Sequence, residues 1–185
     1  MSRADRFDRA DYQQRRPSSG TQEGDSSLRA GTQEVRPEGH RGLLWPVEKP
    51  RVGDNLLSDR DGKGNPHFGV DLFVPAGSVV RAASAGRVIR VKDGRTSKDT
   101  GRRRAGLWID VLGVDGRVYR YLHLGTATTT PNAVLVAGDP IATVAEAYTS
   151  GSGKGPHLHF EVRGSDWSNG DYGVPIDPLQ LLRKA

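Results

Sequence analysis

Cysteine is absent from this 185-residue chain. No disulfide can staple its fold and no thiolate can hold a metal, so any metal chemistry must rest on His, Asp and Glu. Long apolar runs are missing too. None approaches the roughly 20 residues that a bilayer-spanning helix needs, so no insertion in a membrane is expected. The first residues, MSRADRFDRADYQQRR, lack the apolar centre of a secretory signal. The expectation is a protein made in the cytoplasm which, if it works outside, is brought there by a carrier. What is present is 35% hydrophobic and 26% charged residues, enough for one domain of ordinary size plus a tail. A net charge of +5 favours anionic surroundings such as nucleic acid, cell-wall polymers or outer-membrane lipid, without choosing among them.

The texture changes near residue 42. Residues 1–42 are rich in Arg, Asp, Gln, Ser, Gly and Glu, and Phe7 and Tyr12 are their only aromatics. They show neither a helical stripe nor strand alternation, which predicts a flexible arm. Its charges of both signs are interleaved, so it makes a poor nucleic-acid tail, and an arm that orders on docking to a larger assembly suits it better. Residues 43–185 then form the folded domain. Short β-branched runs (VDLFV at 70–74, VVRA at 79–82, GRVIRVK at 86–92, LWIDVL at 107–112, RVYRYLHL at 117–124, PIATVA at 140–145, HLHFEVR at 157–163) alternate with turn pairs such as PAG, DG and AGD. This spacing predicts an all-β domain, mainly antiparallel, built as a sandwich or partly closed barrel. Val114-Asp115-Gly116-Arg117 predicts a hairpin, and PIDPLQLL a short C-terminal helical turn.

Of the five histidines, His40 lies in the arm. The others are His67 in NPHFGVDLFVP, His123 in YRYLHLGT, and His157 and His159 in GPHLHFE. On a strand, His157, His159 and Glu161 share one face while Leu158, Phe160 and Val162 share the other. His67 and Asp71 are four apart, and Pro66, Gly69, Val70 and Val74 argue for extended backbone there, which excludes the helical HExxH arrangement. A catalytic zinc takes three protein ligands and keeps a fourth position for water. His67, Asp71 and one histidine of the HxH pair supply that number. The other, with His123, is then left to take a proton or to stabilise an oxyanion.

HFGVDLFVPAGSVVRAASAGRVIRV, YRYLHL, VAGDPIATV and SGKGPHLHFEV stand in the order and spacing of the M23 peptidases of the lysostaphin and LytM type, and LLWPV resembles that family's domain start. The resemblance runs from about Leu43 to Leu182. It implies a small β-sheet fold with its site in a groove, a single zinc ion, and hydrolysis of peptide bonds in the stem peptides or cross-bridges of bacterial peptidoglycan. By the same resemblance His67, Asp71 and His159 are the zinc ligands, and His123 and His157 are the catalytic pair flanking the reacting water. Glu161 has at most a supporting part behind the ligands, the plainer reading being a satisfied polar residue at a sheet edge. DGRTSKDTGRRRAG and ATVAEAYTSGSGKG depart from the family's pattern and are expected as loops bordering the groove. There Arg95, Lys98, Arg102, Arg103 and Arg104 suit either contact with a polyanion or partner, or plain solvation. Two further readings stand beside the peptidase: a non-catalytic scaffold or activator of the same fold, and another zinc hydrolase such as a D-Ala carboxypeptidase. The expected partners are peptidoglycan and, through the arm, a delivery assembly such as a phage or contractile tail.

Overall fold

In a computed structural model of the chain, the structure describes residues 43–59, 66–151, 155–164 and 173–182. All belong to the unit Gly42–Ala185, one of two into which the chain divides, the other being Met1–Arg41. The arm expected at 1–42 lies outside the described residues. The described residues form strands β1 (Arg51–Val52), β2 (Val70–Phe73), β3 (Val79–Arg81), β4 (Gly86–Asp93), β5 (Leu107–Gly113), β6 (Val118–Ala127), β7 (Val134–Leu135), β8 (Pro140–Val144), β9 (His157–Arg163) and β10 (Pro175–Ile176). Two short helices, α1 (Thr100–Ala105) and α2 (Pro178–Leu181), complete them. No helix among these residues is long and apolar enough to cross a membrane.

The strands make one open, antiparallel sheet in the order β1-β2-β9-β6-β5-β4-β7, with β10 beside β9 and a β3–β8 ribbon attached to β6. The all-β expectation therefore holds, with the sheet left unclosed. Alternation along each strand sends Val70, Leu72, Ile109, Val111, Tyr119, Tyr121, Leu158, Phe160 and Val162 into the core, where none is measurably exposed. The Phe160 ring lies nearly parallel to Tyr119 and tilted against Tyr121, with centroids 6.4 Å and 5.2 Å away. Each such side chain contributes about 1.5–3 kcal/mol by leaving water. The Tyr121 hydroxyl, fully enclosed, accepts the Ala83 amide hydrogen at 2.9 Å, so burial does not leave it unsatisfied.

The face opposite the core carries the polar residues of β2, β9, β6 and β5. Register sets them in rows: Asp71 lies directly across from His159, Phe73 from His157, Arg120 from Glu161 and Asp110 from Arg120. One edge of β6 pairs with β9 as far as Leu122 and with β8 from Leu124 onward. His123 sits at that split. Its backbone turns left-handed (φ 63°) within a strand, an arrangement that costs about 1–2 kcal/mol for a residue with a side chain.

Two expectations need correction. The DGRTSKDTGRRRAG stretch is not all loop, because α1 occupies its second half: the Asp99 carboxylate caps the Arg102 amide at 2.8 Å and Gly106 (φ 73°) ends the helix. All of α1 is exposed or half-buried, so it leaves no apolar stripe in the sequence. Nor is Glu161 at a sheet edge. It lies in β9, flanked by β6 and by β2 and β10, and is 5% exposed.

Candidate metal centre and active site

Backbone geometry holds His67 just ahead of β2. Leu57 donates its amide hydrogen to the His67 carbonyl at 2.6 Å and His67 donates to Ser58 at 3.1 Å, so the residue is clamped before the strand begins. Gly69 lets this segment press on β9, for a Cβ there would stand 2.3 Å from the Phe160 carbonyl oxygen. His67 Nε2, Asp71 Oδ1 and His159 Nδ1 thereby converge. The separations are 2.8 Å between the two nitrogens, 2.9 Å from His159 to Asp71 and 3.2 Å from His67 to Asp71.

The remaining ring nitrogens decide what this convergence means. His67 Nδ1 lies 3.0 Å from the Asn55 carbonyl oxygen and His159 Nε2 lies 2.9 Å from Glu161 Oε1. Carbonyl and carboxylate oxygens accept, so both nitrogens donate, and the lone pairs of His67 Nε2 and His159 Nδ1 turn toward Asp71. Two imidazole lone pairs and a carboxylate oxygen then face one another among residues 4–7% exposed. Such a set repels itself unless a proton or a cation lies between its members. His67, Asp71 and His159 form a group with ligand atoms within 4.8 Å of one another, the spacing and chemistry suited to a metal ion with nitrogen and oxygen preference.

The electrostatics agree. Burial raises the pKa of Asp71, but hydrogen bonds and positive charge from His159 and His67, once a proton occupies the space between the facing atoms, outweigh it and hold the carboxyl below the usual carboxylate range. Burial disfavours the charged form of His159, while Asp71 and Glu161 on either side outweigh it and push its pKa up. Glu161 is held low against its own burial by Arg163, His159 and Arg120. Behind the cluster runs a ladder of alternating charge. Arg90 meets Asp110 at 3.0 Å, Asp110 meets Arg120 at 2.8 Å, Arg120 meets Glu161 at 3.7 Å and Arg163 grips Glu161 at 2.7 Å. The ladder ends on His159 Nε2 and fixes that ring.

His157 stands beside the group. Its Nδ1 donates to the Gly155 carbonyl at 2.8 Å, which turns Nε2 toward the cluster, 3.8 Å from Asp71 Oδ1. The His123 ring lies edge-on to His157 (4.9 Å between centroids) and to His159 (5.8 Å), carried there by the left-handed kink at the β6 split. Two imidazoles thus border the three converging ligand atoms. Of the basic residues, Arg95, Arg103 and Arg104 line a cleft next to His123, and Arg102 is not among its lining residues. Asn55, Asp110, Arg120, Arg163 and the Gly155 carbonyl were not expected from sequence. The signal for two of them was there: a single charge centred in an otherwise apolar run, Asp110 in LWIDVL and Arg120 in YRYL.

Known proteins agree with this layout. The family model described as "Peptidase family M23" matches residues 65–178, which contain all four clustered histidines, Asp71 and Glu161. The glycyl-glycine endopeptidase ALE-1 of Staphylococcus capitis is 31% identical over 124 residues, covering 66% of this chain and 30% of that protein, so the chain spans about a third of that relative's length. The solved catalytic domain of lysostaphin from Staphylococcus simulans superposes with a TM-score of 0.58 at 25% identity, over 71% of this chain and 90% of that one. A zinc-containing peptidase from Vibrio cholerae gives 0.61 at 25% identity, over 75% and 40%. With a family match across most of the sheet and the polar cluster falling inside it, the chain belongs to peptidase family M23.

Proposed function

We propose that this protein is a zinc metalloendopeptidase that cuts peptide bonds in the stem peptides or cross-links of bacterial peptidoglycan. The observation that carries the reading is the convergence of His67 Nε2, Asp71 Oδ1 and His159 Nδ1, with the outer nitrogen of each histidine already committed as a donor. These three residues would hold one zinc ion. Zinc bound there supplies a Lewis acid that polarises a peptide carbonyl and makes water acidic near neutral pH. His157 and His123 are the residues left to handle protons. The Nε2 lone pair of His157 faces the cluster and suits a general base, while the His123 ring alongside suits a hydrogen-bond donor to a developing oxyanion. Family membership and the names of the relatives, a glycyl-glycine endopeptidase and lysostaphin, support the peptide and cell-wall part of the reading. The mixed-charge composition of residues 1–42 supports a docking role on a delivery assembly such as a phage or contractile tail.

Mass spectrometry of muropeptides released from purified sacculi, of both directly cross-linked and glycine-bridged types, tests the activity. Zinc-loaded protein should release monomers from cross-linked dimers, and a chelator should abolish release until zinc is restored. Release of terminal D-Ala alone would replace endopeptidase by carboxypeptidase. Zinc binding without any release would favour a scaffold of the same fold.

A further inference from the structure

Next to His123 lies a cleft of about 300 Å³ lined by Arg95, Arg103, Arg104, Tyr148, Thr149 and Gly151. One residue joins it to the proposed site. A Cβ on Gly151 would stand 2.4 Å from His123 Nδ1 and 2.4 Å from the Arg104 carbonyl oxygen, so those two atoms are no more than twice that distance apart. The loop forming the far wall is pinned: Ser150 is 3% exposed and its hydroxyl accepts the Leu107 amide hydrogen at 2.9 Å, while Thr149 donates to the Glu146 carbonyl at 2.8 Å. Within it Tyr148 is held left-handed (φ 61°) and remains 76% exposed, an unusual conformation for a large ring with nothing over it.

The charges of the cleft are unequal. Arg95 is engaged with Asp93, its Nε donating at 2.9 Å. Arg103 donates to the Ser97 carbonyl at 3.2 Å, and no carboxylate of the described residues forms an ion pair with Arg103 or Arg104. Asp99 is occupied in capping α1. Both arginines therefore line the cleft, beside an exposed aromatic ring, with no carboxylate of the described residues paired to them. A guanidinium fork matches a single carboxylate in both size and geometry.

We propose that this cleft is a subsite for a carboxylate carried by the peptide substrate close to the bond that is cut, paired by Arg103 and Arg104 and covered by Tyr148. The inference rests on the peptidase reading of the adjoining site and deepens it: the substrate class is a stem-peptide cross-link with a free carboxyl group, in preference to neutral or amidated links. The test compares binding of two synthetic cross-linked stem peptides, one with a free diaminopimelate carboxyl and one with that group amidated. Zinc-loaded His157→Ala protein is used, so turnover does not enter and a failure of hydrolysis elsewhere leaves this result standing. The free acid should bind about tenfold more tightly than the amide. Arg103→Gln/Arg104→Gln in the same background should bind both peptides as weakly as the parent binds the amide, and the corresponding Lys pair should keep most of the preference. Equal affinities in the parent would overturn the proposal, as would a preference that survives in a folded Gln pair. Equal affinities with displacement by poly(glycerol phosphate) would overturn it too and reassign the cleft to a wall polymer.

Discussion

Glu161 shows how much of the site is set by a residue that is not one of the converging three. Its carboxylate accepts from His159 Nε2 on one oxygen and from Arg163 Nε and Nη2 on the other, at 2.9 and 2.7 Å. Removing its charge leaves His159 free to adopt the other tautomer and Arg163 and Arg120 buried with less compensation. Glu161→Gln is therefore expected to weaken zinc binding by about 10- to 100-fold, read by competition with a chromophoric chelator. An unchanged affinity would show that strand packing alone orients His159. Sequence alternation already placed His157, His159 and Glu161 on one face, since that follows from the pleat. It could not place Asp110, Arg120 and Arg163 behind them. Asp110 meets Arg120 across the β5–β6 hairpin, but Arg120 reaches Glu161 only through the register of β6 on β9, strands far apart in the chain, and a lone charge in a strand reads equally well as solvated.

At the scale of the element, the hairpin between β5 and β6 carries His123 into place from a closed end. Gly113 donates its amide hydrogen to the Arg117 carbonyl at 2.8 Å, and the Asp115 carboxylate accepts from Tyr119 Oη and Arg117 Nη1, each at 2.7 Å. Burial raises the Asp115 pKa, but these donors outweigh it and hold it below its ordinary 3.8. A carboxyl with a lower pKa folded than unfolded contributes stability that is complete above the unfolded value and lost as pH falls through the folded one. Urea unfolding of wild type and Asp115→Asn should therefore show a stability gap at pH 7 that narrows between about pH 5 and pH 3. A gap constant across that range would remove Asp115 from the account. Long strands such as β6 and β9 were legible because β-branched and aromatic residues alternate over seven or more positions. β1, β7 and β10 have two residues each, too few to show a period, and α1 has no apolar face to betray it.

At the scale of the whole molecule, the proposed division of labour is a catalytic sheet and a polar segment that addresses it. Deleting residues 1–42 should leave release from purified wall intact while removing the protein from assembled particles, as read by proteomics of those particles. Retention there would contradict the docking role. The central claim, however, is that His67, Asp71 and His159 hold zinc while His157 and His123 act on protons. It is tested most directly by measuring bound zinc and muropeptide release together in wild type, His159→Ala and His157→Ala. Wild type should hold one zinc and release monomers, His159→Ala should lose both, and His157→Ala should keep its zinc with release lowered at least a hundredfold, as expected for removal of a general base. Full zinc occupancy in His159→Ala, or loss of zinc in His157→Ala, would contradict the assignment.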